Sequence, residues 1–268
     1  MSNQTLYKFR SWSDPIHKRW LTERQIYFAS PAQFNDPFDC AINYRYDLLS
    51  DAEKFEKYYA MIRLDQPMLS DEEVKKHAEK WLGEGLMEKE RHLEINRTII
   101  KEMIDERVGV LSLTKTKIPI LLWSHYSNNH QGFCIGYDWN ILRADFIKKY
   151  NDYRKMVFVD IDVIYSENYP IIIPKKEITP DEYVKIPLST KANFWDYEEE
   201  KRILLLGGAK ELTQIPPEAI VDVTLGCKMP DKDQKELGEF VVRNLPNADL
   251  YLAKTHDESF ELIFNKIN

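Results

Sequence analysis

Glu198, Glu199 and Glu200 follow Trp195 and Tyr197 and run straight into the apolar segment 203–206. Side chains alternate along an extended chain. If 197–206 is a strand, Glu198, Glu200 and Arg202 share one face, and Tyr197, Glu199, Lys201 and Ile203 share the other. Two carboxylates held this close raise the pKa of one of them unless a cation offsets the charge. Such a pair suits a site where positive charge develops in a transition state. It equally suits a solvated strand face on which Arg202 pairs with Glu200.

Other residues have ligand chemistry. Arg10 ends the segment LYKFR, and an arginine at a strand end can hold a phosphate or carboxylate with two hydrogen bonds. The stretch LLWSHYSNNHQGFCIGYD places Trp123, Ser124, His125, Tyr126 and His130 within eight residues. Its rings suit a flat ligand, and its hydroxyls and imidazoles suit orienting one. Core packing accounts equally well for Trp123 and Tyr126. Ser124 and His125 are neighbours and face apart, so no triad follows. His125 and His130 are five apart, off the spacing of a helical zinc pair, and no metal site is expected. Asn35, Asp36 and Asp39 in FNDPFD fit a turn.

Positioning these groups needs a folded body, and 268 residues suffice for a substantial core. A net charge of −7 argues against a broad electrostatic grip on nucleic acid. No apolar run reaches the roughly 20 residues that span a bilayer, and the first residues lack an apolar signal core. Three scattered cysteines argue against a disulfide framework or a cysteine zinc site. The expectation is a cytoplasmic protein. Strands are expected at TLYKFR, QIYFAS, GVLSLT, GFCIGYD, MVFVDIDVIYS, RILLL, AIVDVTLG, ADLYLAKT and FELIFNKI. Helices are expected after the first strand, near PILLWSHYSNN and at QKELGEFVVRNL. SDAE at 50–53 and SDEE at 70–73 fit capping boxes, and a third helix is expected over about 86–107. Strands split by a helical block, without regular βαβ alternation, indicate a single α+β domain over 1–268 with a helical insertion at about 50–107. Neither GxGxxG nor GxxxxGK[ST] occurs.

The stretches LYKFR, YFASPAQFNDPFD, LSLT, WSHYSNNHQGFCIGYD and WDYEEEKR, in that order, resemble a bacterial family of unknown function. The order of an arginine ending the first strand, a central Ser/Thr strand and a late Glu-x-Glu strand is also similar to the ADP-ribosyltransferases. That resemblance implies a split mixed/antiparallel sheet and NAD as substrate. It implies Glu200 as the group stabilising a ribosyl oxocarbenium ion, and Glu198 as the group orienting or deprotonating the acceptor. Arg10 and Ser112 would hold NAD, with Trp123, His125, Tyr126 and Trp195 beside it. The function implied is transfer of ADP-ribose to a protein or nucleic-acid acceptor, or hydrolysis of NAD. A toxin or antiviral effector with an inhibitory partner protein and no membrane association would fit. The alternatives are a non-catalytic nucleotide- or peptide-binding module and a metal-dependent nuclease. The transferase reading with these roles requires Arg10, Ser112 and Glu200 to converge; if Glu200 faces away from Arg10, it is dropped in favour of the binding module.

Overall fold

A computed structural model describes residues 4–41, 43–150, 156–175 and 180–267. The strands are β1 (Thr5–Arg10), β2 (Gln25–Tyr27), β3 (Val108–Thr114), β4 (Phe133–Asp138), β5 (Val157–Asp162) and β6 (Ile164–Ser166). They continue as β7 (Thr190–Ala192), β8 (Glu200–Leu206), β9 (Leu212–Gln214), β10 (Ile220–Leu225), β11 (Asp249–Thr255) and β12 (Leu262–Lys266). The helices are α1 (Pro15–Thr22), α2 (Asp51–Asp65), α3 (Asp71–Gly83) and α4 (Glu90–Arg107). After them come α5 (Ile120–Tyr126), α6 (Trp139–Tyr150), α7 (Pro180–Ser189) and α8 (Asp231–Asn244).

The chain is mixed α and β, as its pattern indicates. Where the sequence suggests one domain with an insertion, the contacts divide the chain into two compact units. One comprises Met1–Gln33, Arg107–Val163 and Phe194–Asn268; the other comprises Phe34–Glu106 and Ile164–Asn193.

The first unit is built on an eight-stranded sheet in the order β12-β11-β10-β4-β1-β3-β8-β5. Only β10 and β11 run parallel; every other pairing in this sheet is antiparallel. The parallel pair needs a long crossover, and α8 supplies it. Alternation along the strands gives the sheet two different faces. Leu6, Leu111, Leu113, Ile135, Ile203 and Leu205 lie on one face. They form a core with Leu142 and Phe146 of α6 and Leu237 and Val241 of α8. The other face carries Phe9 and Cys134, packed with Leu122 and Trp123 of α5. Register places position 136 on this second face, where a Cβ would sit 2.7 Å from Asp222 Cβ and 3.0 Å from Tyr7 Cε1, so the residue is glycine.

The expected long strand 156–166 is broken at Val163. Its first part, β5, joins the large sheet, and its second part, β6, pairs with β7 in the second unit. That unit holds the helices the sequence marks most clearly. Ser50 accepts from the N–H of Glu53, whose carboxylate accepts from the N–H of Ser50, and Ser70 and Glu73 repeat the arrangement. Tyr58, Ile62, Val74 and Ala78 then form a separate apolar cluster between α2 and α3. The Thr22 hydroxyl donates to the Lys18 carbonyl within α1.

Ser50→Ala and Ser70→Ala should each cost about 1 kcal/mol, because each leaves helix N–H groups without an acceptor. Urea unfolding followed by helix circular dichroism checks this. A loss below about 0.3 kcal/mol in both would mean that water replaces the caps at no cost.

Candidate functional site

The acidic segment reaches the sheet by a route the sequence does not announce. Residues Asn193–Glu198 form a 3-10 helix, not the start of a strand. Glu199 then takes a left-handed conformation with φ 42, rare for a residue with a side chain. Its N–H donates to the Asp196 carbonyl and its own carbonyl accepts from Lys115 N–H, both at 3.1 Å. Only from Glu200 onward is the chain extended. Glu198 therefore does not share a strand face with Glu200, whereas Glu200 and Arg202 do.

That pair is buried, with Glu200 5% and Arg202 0% exposed. Arg202 Nε donates to Glu200 Oε1 at 2.8 Å, and Nη2 donates to Oε2 at 3.1 Å. A guanidinium in so dry a place needs such a two-point partner, because its desolvation is expensive. Register puts Ser112 opposite Arg202 and Thr114 opposite Glu200, so all four lie on the α5 side of the sheet. The Ser112 carbonyl also accepts from Lys8 Nζ at 2.6 Å.

Glu198 arrives at the same place from the 3-10 helix. It is 4% exposed and accepts a 2.8 Å hydrogen bond from the Tyr126 hydroxyl. Burial first, then the charges of Glu198 and Glu200, hold the Tyr126 phenol well above its ordinary pKa, so it stays a donor. Next to Tyr126 the rings continue in a row. His125 lies 6.2 Å from Tyr126 and 6.1 Å from Trp195, and Trp195 lies 6.1 Å from Tyr197. His125 is exposed and Trp195 half-buried, so part of this row faces solvent.

Trp123 and Arg10 do not join the group. Trp123 is 0% exposed, meets Phe9 edge-on at 5.0 Å and donates from Nε1 to the Lys117 carbonyl. It is a core residue, since α5 turns this side chain toward the sheet and His125 outward. Arg10 shares the strand parity of Leu6, which lies in the opposite core. Its guanidinium stacks 3.8 Å from the Trp20 ring on that side. The eight-stranded sheet separates Arg10 from Glu200.

Two arrangements escape a reading of the sequence. Lys117 reaches across the sheet to pair with Asp222 and donates to Thr224 Oγ1 at 2.9 Å. It lies over the rings of Tyr7, Tyr251 and Phe264. These partners are more than 100 positions away, and no local spacing signals them. Ser124 Oγ lies 3.0 Å from His130 Nε2 because Asn128, Asn129 and His130 all adopt left-handed backbone and curl the loop back. The Asn-Asn dipeptide is the available signal, since asparagine tolerates that conformation. Burial lowers the His130 pKa, and Lys228 lowers it further.

Among the described residues, no group of three or more His, Cys, Asp or Glu side chains is placed to hold a metal ion. No helix among them is long and apolar enough to cross a membrane. A family model described as a protein of unknown function (DUF2971) matches residues 122–203. The matched stretch includes Tyr126, Trp195, Glu198, Glu200 and Arg202 and leaves out Arg10 and Ser112. No curated protein and no solved structure matches the chain.

Arg202→Met should cost about 3–5 kcal/mol by removing two donors from the buried Glu200 carboxylate, and Glu200→Leu combined with Arg202→Met should regain much of that. Denaturant midpoints of the parent, single and double variants measure it. A single variant as stable as the parent would show that the pair does not anchor β8.

Proposed function

We propose that this protein is a nucleotide-binding module. Its ligand's flat ring lies against the Tyr126–His125–Trp195–Tyr197 row, and Glu198 stands beside it. The carrying observation is that row: successive rings about 6 Å apart, partly open to solvent, next to a hydrogen-bonded carboxylate. Aromatic rings accept any nucleobase face, and a carboxylate can accept from an exocyclic amine or a ribose hydroxyl. Glu200 serves the fold in this reading, because both its oxygens accept from Arg202. Arg10 lies across the sheet and takes no part. NAD, with two rings and two riboses, is the ligand to test first.

Cleavage of NAD, with transfer of ADP-ribose to a macromolecule or to water, is the second reading, in a form that makes no use of Arg10. What favours it is that two buried carboxylates, Glu198 and Glu200, stand beside Tyr126 and the aromatic row. Glu200 would then stabilise the oxocarbenium ion as nicotinamide leaves, and Glu198 would act on the acceptor. A toxin or antiviral effector held in check by a partner protein belongs to this reading.

Calorimetric titration with NAD, ADP-ribose and ATP distinguishes the outcomes. Trp195→Ala should weaken the best ligand about tenfold or more, since stacking contributes about 1–3 kcal/mol per base. Unchanged affinity in that variant, or no binding by the parent, would sink the binding reading. Nicotinamide release by the parent, reduced roughly 10²–10³-fold by Glu200→Gln, would establish the second reading in its place.

A further inference from the structure

The loop after α5 is bent so that a histidine meets a serine. Ser124 Oγ and His130 Nε2 lie 3.0 Å apart, although six positions separate the two residues. The return is made by three consecutive left-handed residues, Asn128, Asn129 and His130, at φ 50, 53 and 69. Residues with side chains keep that backbone only where the surroundings hold it there. Here the hold is explicit. The His130 N–H donates to the Trp123 carbonyl at 3.2 Å, and its carbonyl accepts from the Lys228 N–H at 3.0 Å. The Asn129 N–H donates to the Ser124 carbonyl at 3.3 Å. Both members of the pair are therefore fixed in place, as a reacting pair has to be.

The serine can be reached from solvent. Ser124 is half-buried, and Asn128, Asn129 and Lys228 are exposed. His130 is 9% exposed. Burial, then Lys228, oppose protonation of its ring, so the imidazole is neutral at pH 7. With the ring hydrogen on Nδ1, Nε2 carries the lone pair that can take the Ser124 proton. Nδ1 is sealed and has no hydrogen-bond partner among the described residues. No carboxylate assists the base, so it works more slowly than one in a full triad. One turn earlier on α5 stand Ile120 and Leu121, 36% and 48% exposed. Residues three and four apart share a helix face, so these apolar side chains flank Ser124.

We propose that Ser124 is a nucleophile and His130 its general base, acting on carboxylic esters with an apolar acyl chain. Ser124 Oγ bonds to the ester carbonyl carbon as its proton passes to Nε2. The carbonyl oxygen takes up negative charge, and Lys228 is the cation in electrostatic reach of the pair. The bond from that carbon to the alcohol oxygen then breaks, and Nε2 returns the proton to the departing alkoxide. Water attacks the acyl-serine and gives a proton to Nε2, and Ser124 departs from the carbon and takes that proton back. Ester and water become acid and alcohol. The acyl chain lies along Ile120 and Leu121, which favours apolar acyl groups over charged ones. The nucleotide reading uses His125 and the rings beyond it and makes no use of this pair, so neither proposal depends on the other.

The experiment measures nitrophenolate release from p-nitrophenyl butyrate by the full chain, Ser124→Ala and His130→Gln, with circular dichroism of each to confirm folding. The parent should release it steadily. Ser124→Ala should fall to the background that exposed lysines and histidines produce. His130→Gln should be slower by about 10²–10⁴-fold, the usual contribution of a general base. A parent no faster than Ser124→Ala overturns the proposal, and so does a folded His130→Gln as fast as the parent. If His130→Gln fails to fold, a fluorophosphonate is reacted with the parent and the adduct is mapped by peptide mass. An adduct on Ser124 supports the proposal; no adduct, or adducts only elsewhere, overturns it.

Discussion

A guanidinium with no exposure to water has to be matched where it stands, and Arg202 is matched by Glu200 two residues earlier on the same strand. That requirement fixes where β8 begins. Glu200 must be extended to share a face with Arg202, so the 3-10 helix before it must end by Glu198. Glu199 absorbs the change of direction in a left-handed conformation that costs a non-glycine residue about 1 kcal/mol or more. The turn is nevertheless kept, because it delivers Glu198 to Tyr126 while Glu200 remains on Arg202. Two buried acids next to each other are then supported by two different donors.

The sheet divides the charged groups into separate environments. On the α5 side, cation and anion are paired: Arg202 with Glu200, and Lys117 with Asp222 inside three rings. On the α6 and α8 side Lys201 pairs with Asp160 at 3.1 Å beside the Trp139 ring, and Arg10 lies with a ring and a single carbonyl. Strand parity alone assigns each residue to its side. A one-residue shift of β1 would exchange Phe9 and Arg10, placing a second guanidinium near Arg202 and a phenyl ring over Trp20. The apolar partners on both faces oppose such a shift.

Much of this architecture is legible in the residues. The capping boxes at Ser50 and Ser70 are local codes, and both close as read. GFCIGYD and RILLL are strands because their apolar runs are short, β-prone and bounded by polar residues. Local readings fail where the tertiary structure decides. Alternation assigns Glu198 to the face of Glu200, but the backbone leaves extended geometry before that residue. MVFVDIDVIYS reads as one strand, yet its two parts pair with different sheets. Arg10 and Glu200 sit at strand positions that local pattern finds, but which side of the sheet each faces depends on register with β3 and β4. The pairing of Lys117 with Asp222 has no local signature.

That last contact spans much of the chain, and it affects when the protein becomes whole. Lys117 precedes α5, while the last ring over it, Phe264, is made 147 residues later. At roughly 5–20 residues per second, a ribosome needs about 7–30 seconds to cover that distance. The ammonium of Lys117 lacks Asp222 for the first 105 of those residues and lacks its full set of rings until the last. The loop that leads into α5, whose Lys117 carbonyl also holds Trp123 Nε1, is then fastened at one end only. The aromatic row itself waits for Trp195, Tyr197 and Glu198, the last made 72 residues after Tyr126, so a nascent chain stays unfinished at this site well after Tyr126 has been made.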